Sequence, residues 1–382
     1  MAMIIKINSY ICHLNKNDNM KKILILFIAL ISFHLNSYSE TKTEESFNTG
    51  EMIMDHIIDN HSWHILTYKD KHVSIPLPVI LINEGKLDIF MSNKFHHGHS
   101  SYKGYKLGTS EDGKNTKGKI ICVDANGKYT GKKPLDFSIT KNVASLFIVS
   151  ILLIVIVFRA KHLALKRQGK APKGTLTIVE FIMQFIRDDI AIPSIGKKKY
   201  SKFMPYLLTV FCFIFLSNLM GLVPFFPGGA NLTGNIAVTM VLAVITFLIT
   251  NFSANRHYFK HIFNMPGVPW WLKFPLPIMP MVEILSVFTK PFALMIRLFA
   301  NITAGHIIIL GFISIIFIFG SQSVKVGYSI AIAPVFFAIF MNLLELLVAF
   351  IQAYVFTLLS AIYIGMSNEE HTEVHQGEII NR

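Results

Sequence analysis

Two apolar stretches near the C-terminus, residues 277–320 and 328–364, constrain this chain more than any other feature. A helix rises 1.5 Å per residue, so about forty residues of helix reach roughly 60 Å, twice the hydrocarbon core of about 30 Å. Such a segment either breaks, here at Pro280, Pro291 or Pro334, or runs on strongly tilted. A tilted span needs a protein surface to lean on, which points to a curved partner inside the membrane. Three shorter apolar runs, 143–158, 203–223 and 235–252, come before them. The expectation is an all-α polytopic membrane protein with about five transmembrane helices, the last two long and tilted.

Charge sets the orientation. Only 15% of the residues are charged and 52% are hydrophobic, yet the net charge is +13. Much of the excess lies in short loops: Arg159, Lys161, Lys166, Arg167, Lys170 and Lys173 after the first run, then Lys197, Lys198, Lys199 and Lys202 before the second. Arg256, Lys260 and Lys273 come after the third run. Lysine and arginine mark cytoplasmic loops, so the basic balance describes topology, not a nucleic-acid partner. The N-terminus falls outside and the tail, 367–382, inside; only Lys325 disagrees. Residues 176–192 carry Glu180, Arg187, Asp188 and Asp189 among apolar positions at helical spacing, the pattern of an interfacial amphipathic helix.

Residues 1–39 read as a signal peptide whose true start is Met20. Lys21 and Lys22 form its basic end, 23–35 its apolar stretch, and Ser37 and Ser39 precede a cleavage point at Glu40. Residues 40–135 are polar and predict a small β-rich extracytoplasmic domain. Its strands are expected at HILTY, HVSI, PVILI, LDIFM and KIICV, with turns at NGK and EDGK. Cys12, Cys122 and Cys212 share no metal or disulfide spacing. His96, His97 and His99 are weak metal candidates, supported upstream by His56, His61, His64 and His72; a solvated loop explains them as well.

The chemistry concentrates in the two long segments. A charge inside the membrane costs roughly 3 kcal/mol on insertion scales, so each one calls for an explanation. The fourth segment, 136–366 being the membrane domain, holds Glu283, Lys290, Arg297 and His306; the fifth holds Glu345 with Asn342 and Gln352. On a helix, Arg297, Asn301, Ala304 and Ile308 share a face, with Ala293 and Ala300 adjoining: a cation among small residues. His306, nine residues on, is turned by about 180° and faces the other way. Asn342, Glu345, Ala349 and Gln352 form one stripe, so an imidazole on one helix can pair with a carboxylate on the next.

Three runs now resemble a known family. FTKPFALMIRLFANITAGH, LSNLMGLVP and LLELLVAFIQAYVFTLLSAIYIGMSNEEH are similar to the signatures of F-type ATP synthase subunit a, over roughly residues 136–371. The resemblance implies a non-catalytic, proton-translocating stator subunit in a bacterial inner membrane. Its partners would be a ring of c subunits, subunit b and the remaining ATP synthase subunits, with membrane lipid around it and protons as the transported ion. It implies no cofactor. Arg297 would be the essential arginine facing the ring carboxylate. Asn218, Asn301, His306, Glu345 and Gln352 would line the path from outside, and Glu283 and Lys290 would lie toward the cytoplasmic path. Two departures stand out. Some members carry the His306 and Glu345 residue types exchanged, and some carry an aspartate where Gly221 stands here.

Three rival readings fit less well. A secondary cation transporter normally shows repeats with broken helices in both halves, and only one half is charged here. A zinc enzyme would need HExxH, whereas HTEVH sets Glu373 two residues after His371. A metal-binding envelope protein rests on the His96–His99 cluster alone. No phosphate-binding P-loop is present in the sequence.

Overall fold

The computed structural model describes residues 59–68, 71–98, 100–109, 112, 116, 118–124, 127–223, 226–263 and 278–368, with Gly50 and Ile53. The proposed leader, the EDGK turn (apart from Asp112), His99, Lys273 and the tail beyond Asn368 lie outside these residues. The chain divides into two compact units. The described part of one is Ile315–Ile332; the other comprises Asn48–Ser314 and Ala333–Arg382.

The β region of the larger unit follows period-2 patterning. β1 (Ser62–Tyr68) pairs antiparallel with β2 (Lys71–Pro76), with a register shift between His64 and Leu66. β3 (Pro78–Asn83) pairs with β4 (Lys86–Met91), and their hairpin closes through Glu84 at φ 49° and Gly85 at φ 81°. Two left-handed residues match the twist of the flanking strands. β5 (Tyr105–Leu107) pairs with β6 (Ile120–Cys122). β7 (Leu135–Asp136) pairs with β3 to give the sheet order β4-β3-β7. Val79 and Leu81 alternate inward onto Phe95, Tyr105, Ile120 and Cys122, forming a small core. The five expected strands are all present. The NGK turn is held by Gly127 N–H donating to the Asp124 carbonyl (3.0 Å).

Only four residues, 137–140, link this sheet to the helical part, and they stay bonded to β3. Phe137 N–H donates to the Ile80 carbonyl (2.9 Å) and Ile139 N–H to that of Pro78 (3.0 Å). Thr140 then caps helix α1 (Lys141–Lys166). The Asp59 carboxylate accepts from Thr140 Oγ1 (2.7 Å) and from Asn142 N–H (3.0 Å), an acid placed at a helix N-terminus where unpaired N–H groups attract it.

The expected amphipathic segment forms helix α2 (Thr175–Phe185), a π-helical turn (Ile186–Ala191) and helix α3 (Ile192–Ile195). The turn buries Ile186, Ile190 and Ala191 and leaves Arg187 ion-paired to Asp188 (2.8 Å) at the surface. Helices α4 (Tyr200–Leu222), α5 (Ile236–Phe252), α6 (Arg256–Phe263), α7 (Ile278–Gln322) and α8 (Val324–Asn368) follow among the described residues. Among the described residues four helices, α1, α4, α7 and α8, are long and apolar enough to cross a membrane. The expected third span is the 17-residue α5, about 25 Å long and shorter than the hydrocarbon core. Its Thr239, Ala243, Thr246 and Thr250 face inward.

Neither long helix breaks. Pro280 sits in the first turn of α7, where a missing N–H costs little, and Pro291 and Pro334 lie inside continuous 45-residue helices. α7 and α8 run antiparallel: His306 meets Glu345, and Phe312 stacks on Phe337 with ring centroids 5.5 Å apart. The core between α4, α5, α7, α8 and the π-turn includes Leu207, Phe211, Ile214, Leu294, Leu298 and Phe356. The C-terminal end of α8 is held by three donors. Lys199 Nζ (3.0 Å) and Asn255 Nδ2 (3.1 Å) bind the Asn368 carbonyl, and Asn255 N–H binds that of Ser367 (2.9 Å). A cation at a helix C-terminus also opposes the helix dipole. Gly365 permits this packing, since a Cβ there would lie 1.9 Å from the Ser194 carbonyl oxygen.

Candidate functional site

The site is organised by α7. Leu294, Met295, Leu298 and Ile302 bury one side of it against the core. Ala293, Arg297, Ala300, Asn301 and Ala304 lie exposed on the other. Arg297 forms no ion pair with any described residue.

His306 points away from that exposed face. Its Nδ1 hydrogen-bonds Glu345 Oε1, and the side chains are 19% and 4% exposed respectively. Glu345 Oε2 has no hydrogen-bond partner among the described residues. The pair is tightly enclosed: a Cβ at Gly305 would stand 3.0 Å from Glu345 Oε1. A Cβ at Gly221 would stand 3.8 Å from His306 Nε2, so the position where some relatives are expected to carry an aspartate adjoins the imidazole.

Asn218 closes the same region from α4. It is buried, donates through Nδ2 to the Ala349 carbonyl (3.2 Å) and accepts from Thr233 Oγ1 (2.5 Å). Gln352, two turns beyond Glu345 on α8, is buried too. Asn342 is exposed and donates back to Ala338 of its own helix (3.0 Å). Asn301 sits on the Arg297 face, apart from the His306 cluster.

A second polar group lies toward the other end of α7. Thr246, Phe247, Thr250, Asn251, Tyr258, Val287, Lys290, Pro291, Leu294 and Tyr363 line a small, partly open cleft. Lys290 Nζ lies 5.7 Å from the centroid of the Tyr363 ring, a cation–π contact. Nearby, the Tyr206 and Thr246 hydroxyls share a hydrogen bond (2.7 Å). Glu283 is half-buried one turn outside the cleft. Burial raises the phenol pKa of Tyr258 above its ordinary value, and the charge of Glu283 adds to the shift. Sequence reasoning missed Thr233, Gly305 and the hydroxyl lining of this cleft. Gly305, directly before His306 in TAGH, was the one legible signal.

Among the histidines, His96 is exposed with φ 41°, and His61 binds the Asp136 carboxylate (2.9 Å). Among the described residues no three His, Cys, Asp or Glu side chains gather as a metal site.

A sequence profile described as ATP synthase A chain matches residues 143–365. The chain belongs to the ATP synthase subunit a family. A relative in Chlorobaculum tepidum, "ATP synthase subunit a 2", is 50% identical over 250 residues, which is 63% of this chain and 66% of that protein. "ATP synthase subunit a" of Chloroherpeton thalassium is 44% identical over 250 residues, 63% of this chain and 71% of that protein. "ATP synthase subunit a" of an Anaeromyxobacter species is 43% identical over 251 residues, 63% of this chain and 57% of that protein. The family profile thus covers the helical region and stops short of the β region. Residues 52–137 match a separate profile, Domain of unknown function (DUF8433).

Proposed function

We propose that this chain is the proton-conducting stator subunit of the membrane sector of an F-type ATP synthase, held with subunit b against a ring of c subunits and not catalytic by itself. The observation that carries this reading is Arg297: exposed, without a carboxylate partner among the described residues, and set among Ala293, Ala300 and Ala304. A guanidinium stays charged in a protein, and at the centre of a span it costs roughly 3 kcal/mol or more against lipid. Small neighbours let another helix approach closely, so this face suits a partner that brings an anion. A carboxylate on the ring is that anion.

The two polar groups then divide the work. His306 lies nine residues from Arg297, about 13 Å along the helix, and Lys290 seven residues the other way, about 10 Å. Protons from outside pass by Asn218, Gln352 and the His306–Glu345 pair to a ring carboxylate that has left Arg297. The protonated carboxylate is neutral and can turn into lipid. On return it loses its proton to the cleft at Lys290, with Glu283 toward the cytoplasm. Arg297 separates the two half-paths and prevents a direct leak. Each proton releases about 2.3 kcal/mol per 100 mV, which turns the ring. In this orientation the β region is extracytoplasmic after leader removal near Glu40, the C-terminus is cytoplasmic, and the membrane is the bacterial inner membrane.

The test is co-purification with the c ring, combined with disulfide trapping from Asn301→Cys to cysteines on the outer ring helix. A ring-linked product is the expected result. Ion transport by the chain without any ring would favour a secondary cation transporter instead.

A further inference from the structure

The β3-centred sheet has one face with no polar side chain. Residues paired across antiparallel strands share a face. The pairs Pro78–Met91, Ile80–Ile89 and Ile82–Leu87 join β3 to β4, and Ile82–Leu135 joins β3 to β7. Phe137, whose N–H binds the Ile80 carbonyl, continues the row. The opposite face carries Val79, Leu81 and Phe90, which build the small core, together with Asp88 and Asp136. Burial of the second face is therefore accounted for. The first stays open: Leu87, Ile89, Met91, Leu135 and Phe137 are between 42% and 64% exposed. An exposed apolar patch of this kind marks an interaction surface.

We propose that this sheet face rests on the lipid surface of the bilayer on the side where α1 begins. Two observations favour lipid over a protein partner. First, β7 feeds α1 directly: Ile139 is still hydrogen-bonded to Pro78, and the helix begins at Lys141. The Pro78–Met91 end of the sheet is thus tied to the start of a helix read as crossing the membrane. The first turns of α1 also present exposed apolar side chains, at Val143, Phe147 and Ile151. Second, the face offers no donor or acceptor side chain, whereas protein interfaces carry about one hydrogen bond per 100–200 Å². Acyl chains and the glycerol region ask for none. The β region would then brace α1 at the membrane surface.

The test uses the intact complex reconstituted in vesicles of phosphatidylethanolamine and phosphatidylglycerol. In a chain whose native cysteines are replaced by alanine, Ile89→Cys, Phe137→Cys and Lys86→Cys are each labelled with an environment-sensitive fluorophore. Lys86 is exposed on the opposite face of β4 and serves as the control. Apolar faces sink roughly 5–10 Å into the interface, so a nitroxide high on the lipid acyl chain should quench positions 89 and 137 about threefold more than aqueous iodide does. Position 86 should show the reverse. Iodide quenching that dominates at 89 and 137 would overturn the proposal, and so would protection of both positions from both quenchers, which would mean that a protein covers the face. Ile89→Lys combined with Phe137→Cys provides a second reading. A charge in the middle of the face should cut the lipid quenching at 137, and no change would count against docking.

Discussion

The cluster around Glu345 and the cleft beside Lys290 flank Arg297 on the same pair of helices, yet they are built in opposite ways. The first is closed. Its carboxylate is 4% exposed, a glycine is needed to make room for it, and Asn218 is tied to Ala349 and Thr233. The second is a small, partly open cleft in which hydroxyl and amide groups alternate with apolar side chains, and its lysine lies beside an aromatic ring. A buried imidazole–carboxylate pair fixes where a proton can sit. An open polar cleft admits water, and water can take a proton away without fixed geometry. The closed cluster should therefore be sensitive to single substitutions and the open one tolerant.

The sharpest contrast comes from the closed side. Removing one member of a buried pair leaves the other poorly satisfied at a cost of about 3–5 kcal/mol. His306→Glu or Glu345→His alone should reduce proton pumping in inverted vesicles by roughly a hundredfold or more. The double exchange should recover a substantial part, because the pair itself is restored. A double variant no better than the worse single would remove the coupled-pair account and leave His306 as a packing residue.

Gly305→Leu should act on the same cluster without touching its chemistry. The new side chain needs the space of the Glu345 carboxylate, and overpacking costs about 1–3 kcal/mol. Pumping should fall by roughly tenfold, with assembly retained. Unchanged pumping would show that the cluster is looser than its geometry.

Lys290→Ala should have the smallest effect. In an open cleft the cation–π contact is worth about 0.5–1 kcal/mol, and the cleft stays open without it. A twofold to fivefold loss is expected, on the order of those contact energies. A loss matching that of the pair variants would erase the distinction between a closed and an open half.

Much of this arrangement was legible in the sequence, because helical spacing alone separates Arg297 from His306 and stacks Glu345 with Gln352. The strands with clear alternation were legible for the same reason. β5 and β7, three and two residues long, carry too little pattern to stand out. The span of α5 was legible to within one residue, the run 235–252 forming Ile236–Phe252; that its threonines turn inward was not. Prolines gave no decision between broken and continuous helices, since a lost hydrogen bond at Pro291 or Pro334 is compensated by tertiary packing that a sequence does not display. The open cleft was invisible because its lining comes from four helices and from residue types, threonine and tyrosine, that are unremarkable singly. Asn301 shows the limit from the other side. The resemblance grouped it with His306, whereas helical spacing in the sequence had already set it on the Arg297 face, where it lies exposed.

The account rests on Arg297 as the separator of the two halves. The direct measurement is ATP-driven proton pumping and passive proton leak, on the same vesicles, for Arg297→Ala and Arg297→Lys in the assembled complex. Arg297→Ala should abolish pumping while leak through the membrane sector persists or rises, since no fixed cation then stands between cluster and cleft. Arg297→Lys should also fail, because a compact ammonium lacks the rigid fork and can lose its proton when buried. Robust pumping by the alanine variant would contradict the account.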